Sequence, residues 1–357
     1  MKILITVPDL KLSGGVANHY MGLRDYWHES VKYIVIGRKK GFPFSGIFWL
    51  PFDSIKYLFL IYYFRPDLIV INPSFDKTAL YRDSYFFRLA LLCKQKVILF
   101  FHGWNIKYSE SVSKQNIIPL FNSALCILVL ASEFKKLLEA WGVTIPVYLT
   151  STKVDDKLIQ NFNENKYRNG KINTLLFLSR IIKEKGIFIA INAFQILKVK
   201  YPYLKMNIVG DGKALNDAKE FVAVNNIKDI LFTGNLYGEN LITQFMQSDI
   251  YIFPSLYSEG MPTSVLETMA FALPVITRPV GGLVDFFENG KMGEMIDSLN
   301  PHEFADVIEK YILDEYLTQK TSLYNYTYAK EHFMASNVAK KLEIIFAEIL
   351  SIKNVKK

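Results

Sequence analysis

In "PSLYSEGMPTSVLETMA" (254–270) two glutamates, Glu259 and Glu267, stand eight positions apart. Carboxylates in one site suit paired acid and base work, or recognition of hydroxyl groups. "IYIFPS" before them reads as a strand and "LYSEGM" as a loop. Pro262 then occupies a favoured first helical position, with the helix running from Thr263 to about Ala272. The helix amino end offers unpaired N–H groups and a positive dipole. One carboxylate thus lies in the loop and the other about one turn inside the helix, which favours two different hydroxyl-bearing rings over one shared proton.

Four further stretches carry polar groups at strand ends. "LFLSRIIKEKGIFIAINAF" (176–194) places Arg180 just past a strand and Lys185 beside Gly186 at a helix start. Two cations on one such loop can face a single diphosphate, Arg by a bidentate grip and Lys as a compact charge. Lys183 competes for the second role, and Lys185 is preferred because it adjoins the glycine. In "LKLSGGVANHY" (10–20), Gly14 and Gly15 let the backbone approach a ligand between the first strand and the first helix. His19, on that helix, reads as a surface or cleft-edge residue. "FHGWN" (101–105) ends a strand on His102. "IVGDGKALNDAK" (208–219), with Gly210, and "LFTGNL" (231–236) are glycine turns suited to backbone contact with a base or ribose.

The elements that must position these groups alternate from end to end. "KILITVP" (2–8), "YIVIG" (33–37), "DLIVINP" (67–73), "KVILFFHG" (96–103) and "ALCILVLA" (124–131) have the near-continuous apolar character of buried parallel strands. Helical spacing fills 16–28, 54–64, 78–94 and 132–141. Residues 151–171 lose apolar content, and the alternation then restarts at 173–180, 204–212, 227–236, 248–255, 273–279 and 293–297. The fold class is therefore α/β: two doubly wound, Rossmann-like domains, over about 1–155 and 172–335, with 156–171 as linker. A last helix near 337–352 either closes the second domain or returns to the first. In open parallel sheets ligands bind beyond the carboxyl ends of strands, so the expected site is a cleft facing both domains.

Composition narrows the setting. Half the residues are apolar, which excludes disorder. No apolar run approaches the length of a membrane span, and "MKILITVPDL" is too soon interrupted to be a signal peptide. Cys93 and Cys126 sit among apolar residues and read as buried free thiols, which suits a reducing cytoplasm. Residues 1–155 hold 19 Lys and Arg against 11 Asp and Glu, whereas 156–357 hold 23 of each. The whole net charge of +8 thus belongs to the half with the aromatic runs "GFPFSGIFWLPF" (41–52) and "YLFLIYYF" (57–64). Basic and aromatic together point to an anionic membrane surface, and no nucleic-acid module is visible. The alternative is that the aromatics are core and the lysines solvated.

Taken in order, "GGV", "SRIIKEKG", "VGDG", "FTGNL", "PSLYSEGMPTSVLETMAFALPVITRPVGG" and a terminal helix resemble the retaining nucleotide-sugar glycosyltransferases of the GT-B fold known as family 4. The resemblance spans the chain and is sharpest over 173–297. It implies a transferase, which the thiol usage sets in the cytoplasm and the basic, aromatic half sets at the inner face of the membrane. Such an enzyme moves a hexose from a nucleotide diphosphate sugar, such as a UDP-sugar, to a hydroxyl of a glycan or lipid-linked acceptor in polysaccharide, lipopolysaccharide or capsule synthesis. The resemblance implies front-face attack in which the leaving phosphate takes the acceptor proton, and with no Asp-x-Asp or His/Cys cluster in the sequence to hold a metal, neither metal nor cofactor is expected. Arg180 and Lys185 would bind the diphosphate, Glu267 the ribose and Glu259 the transferred sugar. Backbone amides of Gly260, Met261, Thr263 and Ser264 would line sugar and phosphate, Gly14 and Gly15 would approach the diphosphate, and His102 would touch the donor sugar. The usual Asn-Gly-Val-Asp before the linker appears here only as "STKVD", and "EGMPTS" leaves the sugar open.

Rival readings differ in what they require. A nucleotide-sugar epimerase of the same fold needs an acid/base pair aimed at a sugar carbon. A nicotinamide-dependent dehydrogenase needs a third glycine in the first loop, where Asn18 and His19 follow instead. A non-catalytic sugar-nucleotide-binding protein would dispense with the charged set.

Overall fold

The apolar runs become two six-stranded sheets, parallel throughout. The computed structural model describes residues 1–354 apart from 13, 42–45, 165–168 and 258–259. The first sheet comprises β1 (Lys2–Val7), β2 (Ser30–Val35), β3 (Leu68–Ile71), β4 (Val97–Phe101), β5 (Cys126–Val129) and β6 (Val147–Leu149), in spatial order 2-1-3-4-5-6. The second comprises β7 (Thr174–Leu178), β8 (Lys205–Val209), β9 (Ile230–Gly234), β10 (Ile250–Phe253), β11 (Val275–Thr277) and β12 (Gly293–Met295), in order 12-11-10-7-8-9. Strand order reverses between β1 and β3 and between β7 and β10. At such switch points successive connections leave in opposite directions, opening room for a ligand at the strands' carboxyl ends.

The chain divides into one unit of residues 1–153, 258–261 and 335–357 and a second of 154–257 and 262–334. In the first, alternate β1 residues serve opposite faces, as the two-residue strand period requires. Ile3, Ile5 and Val7 pack with α1 (Gly15–Leu23) and α13 (Ala335–Asn354) through Tyr20, Leu23, Leu342 and Phe346. Leu4 packs on the other face with α2 (Leu50–Phe64) and α3 (Lys77–Leu92), through Tyr57, Ile61, Phe86 and Phe87. The same face carries α4 (Ile106–Ser111), α5 (Lys114–Phe121) and α6 (Ser132–Ala140).

In the second unit, α7 (Ile187–Lys200), α8 (Leu215–Val224), α9 (Glu239–Gln247), α10 (Thr263–Ala270), α11 (Pro301–Leu313) and α12 (Glu315–His332) surround the sheet. Within 156–171, Ile159 and Phe162 are buried, the Phe162 ring 5.1 Å from that of Phe271.

One expectation changes. Cys126 is a buried free thiol, but Cys93 is only partly buried, because it caps α3 where the chain turns outward into Lys94 at positive φ. Much of the "YLFLIYYF" run is on the surface, with Leu58, Phe59, Tyr62 and Tyr63 exposed. No helix among the described residues is long and apolar enough to cross a membrane.

Candidate functional site

In the second unit the cations gather at the β7–β10 switch point. Arg180 follows β7 by two residues, and Lys185 ends a 3₁₀ turn, Lys183–Lys185, just before α7. Gly186 makes this turn possible. It takes φ +78°, and a Cβ there would lie 2.1 Å from the Pro254 carbonyl oxygen. Only a glycine lets the β10 exit come this close. Leu256 N–H then donates to Glu184 O at 2.7 Å, tying the two loops together. That closure sets Tyr257 over the cations: its ring centroid is 5.4 Å from the Arg180 guanidinium carbon and 4.7 Å from Lys185 Nζ. Phe253 lies 5.4 Å from the same ammonium.

Arg180 is exposed while Lys185 is buried. Burial, with the Arg180 charge adding, pulls the Lys185 ammonium down to about 7. A lysine held so low gains most from an incoming anion, which restores its preference for the charged form. Lys183, the rival candidate, turns away toward Asp217 at 3.4 Å.

Gly210 braces the Arg180 loop. At φ +136° its Cα faces the Ser179 carbonyl oxygen, 1.9 Å from where a Cβ would stand. Ile181 N–H donates to Asp211 O, and Ala214 N–H to Ile181 O. The glycines of "VGDG" thus hold two strand exits in contact.

The glutamate helix is α10. Pro262 is its N-cap, with extended ψ of 107°, rather than its first helical residue. Thr263, Ser264 and Glu267 are the partly exposed positions of its first five residues, while Val265 and Leu266 are buried. Glu267 therefore shares its face with the helix amino end, one turn away. Ser264 Oγ is 2.9 Å from Tyr251 Oη, which also lies 2.9 Å from the Leu178 carbonyl oxygen. The carbonyl accepts only, so the single Tyr251 proton goes there, and the Ser264 hydroxyl donates to Tyr251. This pins the first turn of α10 to the end of β7. Glu259 lies outside the described residues.

The first unit holds a second cluster, at the ends of β1, β3 and β4. Asn72 Nδ2 donates to Thr6 O at 2.7 Å, which fixes the amide orientation. Its Oδ1 accepts from Tyr20 Oη at 2.8 Å and faces His102 Nε2 at 3.0 Å. An amide oxygen only accepts, so Nε2 carries the proton and His102 Nδ1 keeps a lone pair. Burial lowers the imidazole to about 3, so it is neutral throughout the physiological range. Gly260 packs on the His102 carbonyl oxygen, 2.3 Å from where its Cβ would be, and Met261 packs into this unit's core. At Gly14 and Gly15 an added Cβ would meet nothing within 4 Å, so the turn before α1 is open.

His19 is not at the surface. It is fully buried, because α1 presents Ala17, His19, Tyr20 and Leu23 inward. Its ring is 4.7 Å from that of His102, and Nδ1 is 3.4 Å from Thr152 Oγ1. Burial, then the neighbouring His102 and Lys153, hold it well below the usual imidazole range.

The structure thus gathers Arg180, Lys185, Gly210, Thr263, Ser264 and Glu267 in one unit and Gly14, Gly15, His102, Gly260 and Met261 in the other. Sequence reasoning missed Asn72, Tyr20, Tyr251 and Tyr257. A signal existed for Asn72, the one amide closing the otherwise apolar run "LIVIN".

Residues 159–330 match the family described as Glycosyl transferases group 1. A glycosyltransferase of Methanocaldococcus jannaschii, described as uncharacterized, is 26% identical over 69% of this chain and 64% of its own. The capsular polysaccharide biosynthesis glycosyltransferase CapM of Staphylococcus aureus is 24% identical over 57% of this chain and 51% of its own. The chain therefore spans about half the length of the curated relatives it matches. Among solved structures, sucrose-phosphate synthase from Thermosynechococcus elongatus superposes with a TM-score of 0.77 at 14% identity, over 99% of this chain and 100% of that one. Anabaena HepE in complex with UDP and glucose gives 0.72 at 16%, over 97% and 99%. These likenesses show the GT-B glycosyltransferase fold, two α/β domains each built on a six-stranded parallel sheet.

Proposed function

We propose that the chain is a retaining glycosyltransferase of family 4. It moves a hexose from a nucleotide diphosphate sugar to a hydroxyl of a glycan or lipid-linked glycan. The observation that carries this reading is the convergence of Arg180 and Lys185 on one tyrosine ring at the β7–β10 switch point. Two cations at the carboxyl ends of parallel strands, beside the amino end of a helix, form an anion site. The domain match, and the likeness to HepE, whose structure holds UDP and glucose, support a uridine diphosphate sugar as the anion. The similarity to CapM, a capsular polysaccharide biosynthesis glycosyltransferase, supports a polysaccharide acceptor.

In this reading the chemical burden is departure of the diphosphate. Arg180 grips two of its oxygens, Lys185 gains its full charge as the anion arrives, and the α10 amides of Thr263 and Ser264 take the rest. The proposal assigns charge neutralisation to these groups and requires neither metal nor cofactor. Glu267 receives the ribose hydroxyls, and Glu259 those of the transferred sugar. Amides of Gly14, Gly15, Gly260 and Met261 contact donor oxygens. His102, neutral with its Nδ1 lone pair, accepts a hydrogen bond from a sugar hydroxyl and does not act as a proton donor. No carboxylate is assigned as nucleophile, so the acceptor attacks from the leaving-group side, and the departing phosphate takes its proton.

Arg180→Ala should cut turnover by about a hundredfold, the usual cost of losing one preorganised charge-stabilising donor. Wild-type turnover in a folded Arg180→Ala protein would refute the assignment. Release of free or epimerised sugar without acceptor consumption would favour the epimerase.

A further inference from the structure

The helix α2 is largely apolar on both its inward and its outward face. Its inward positions Asp53, Tyr57, Ile61 and Phe64 follow the helical repeat, and Asp53 there is neutralised by Lys39 at 2.7 Å and by the Gly37 N–H at 2.8 Å. The outward positions should be polar in a surface helix. Instead Phe52, Ile55, Phe59 and Tyr62 form a stripe at spacings of three, four and three residues, with Tyr63 beside it, all at least 60% exposed. The stripe runs about 15 Å along the helix.

A second stripe, Tyr81, Tyr85, Arg88 and Leu92, is exposed on α3, and Tyr85 Oη meets Ser54 Oγ of α2 at 3.1 Å. Lys56, Arg65, Lys77 and Arg88 are exposed on these helices or at their ends. The only carboxylates on the two helices, Asp53 and Asp83, are buried, Asp83 against Arg82 at 2.8 and 3.0 Å. The outward faces of α2 and α3 are therefore aromatic and cationic, with four exposed cations on them or at their ends against one exposed acid, Asp76, the N-cap of α3.

We infer that this face rests on a bilayer containing anionic lipid. Phe, Tyr and Ile reach the boundary of headgroups and acyl chains, where amphipathic aromatic rings are most stable, while the cations meet lipid phosphates. Charge selects this occupant. A second copy docking through the same face would oppose four cations to four with only the two Asp76 carboxylates to offset them, whereas an anionic surface complements it. The face shares no residue with the proposed donor site, so its test does not depend on transfer activity.

The test is sedimentation of the full chain with vesicles of phosphatidylcholine alone and of phosphatidylcholine with phosphatidylglycerol. The chain should sediment with the anionic vesicles at low salt and much less at high salt. The variant Phe52→Ser/Phe59→Ser/Tyr62→Ser should bind roughly tenfold more weakly or worse. Its circular dichroism and melting should match wild type, since these side chains lie outside the core. Val199→Ser/Leu313→Ser, which removes exposed apolar groups from the other unit, should bind normally. No sedimentation with anionic vesicles at low salt, or equal sedimentation of the triple variant, would overturn the inference. So would a dimer that the triple variant dissolves while no vesicle is bound.

Discussion

Arg180 and Lys185 face the same aromatic ring, that of Tyr257, at 5.4 and 4.7 Å. Burial strips water from the Lys185 ammonium, and the like charge of Arg180 adds a smaller penalty. The buried Lys185 yields, and its ammonium falls to about 7. A diphosphate would reverse this shift.

Donor binding should therefore take up a proton. At a pH somewhat above 7 much of the free protein's Lys185 is neutral, and the bound anion draws it back to the charged form. Calorimetry of nucleotide diphosphate binding in buffers of different ionisation enthalpy should show net uptake approaching one proton at about pH 8. Affinity should fall as pH rises from 7. Zero linkage at every pH would place the diphosphate away from Lys185.

The same lysine should trade stability for binding. Its folded-state pKa is depressed, so from about 7 to 10.5 the unfolded chain holds more protons and stability of the free protein rises with pH. Below 7 the buried ammonium carries its whole cost. Lys185→Met should raise the melting temperature most at about pH 6, with the gain fading toward pH 10, while nucleotide binding is lost. A lower melting temperature at pH 6 would show that the ammonium stabilises the fold.

Gly186 and Gly210 tie these loops by backbone approach. Gly186→Ala combines left-handed backbone with a 2.1 Å contact to Pro254 O, and Gly210→Ala meets Ser179 O at 1.9 Å. Backbone neighbours cannot swing aside as a side chain can. Each substitution should cost about 2 kcal/mol or more in denaturant unfolding, whereas Gly14→Ala, whose Cβ meets open space, should leave stability nearly unchanged. Equal stability of all three would refute the bracing role.

His102 should behave as a fixed, neutral tautomer. Nitrogen-15 spectra should show Nε2 protonated and Nδ1 bare, with no titration between about pH 5 and 8. Asn72→Leu should disturb that signature by removing the acceptor shared with Tyr20. A titration near 6.5 in the wild-type chain would mean that the ring is solvated and free to carry a proton.

Much of this was legible because it is local. The buried parallel strands announce themselves as apolar runs: "NTLLFLSR" is β7, with Arg180 at its end, and "SDIYIFPS" contains β10. Pro262 marks the start of α10, and Gly186 singles out Lys185 over Lys183. What stayed hidden depends on partners distant in sequence. Asn72 acquires its role from Thr6, Tyr20 and His102, and Tyr257 gains its role only when Gly186 lets the β10 exit approach. His19 was misplaced for the same reason, since two glycines before a helix do not tell which way its first turn faces. The aromatic run 57–64 is ambiguous to periodicity: it is apolar on both sides, and only the fold shows that one side stays uncovered.

The central claim is that Arg180 and Lys185 hold a nucleotide diphosphate. Its most direct test is thermal unfolding of the full chain, and of Arg180→Ala/Lys185→Met, with uridine, guanosine and adenosine diphosphate sugars. One of these should raise the wild-type melting temperature, reflecting about 2.7 kcal/mol when the ligand stands at a hundred times its Kd, and should leave the double variant's unchanged. Stabilisation of both proteins alike, or of neither by any of the sugars, would contradict it.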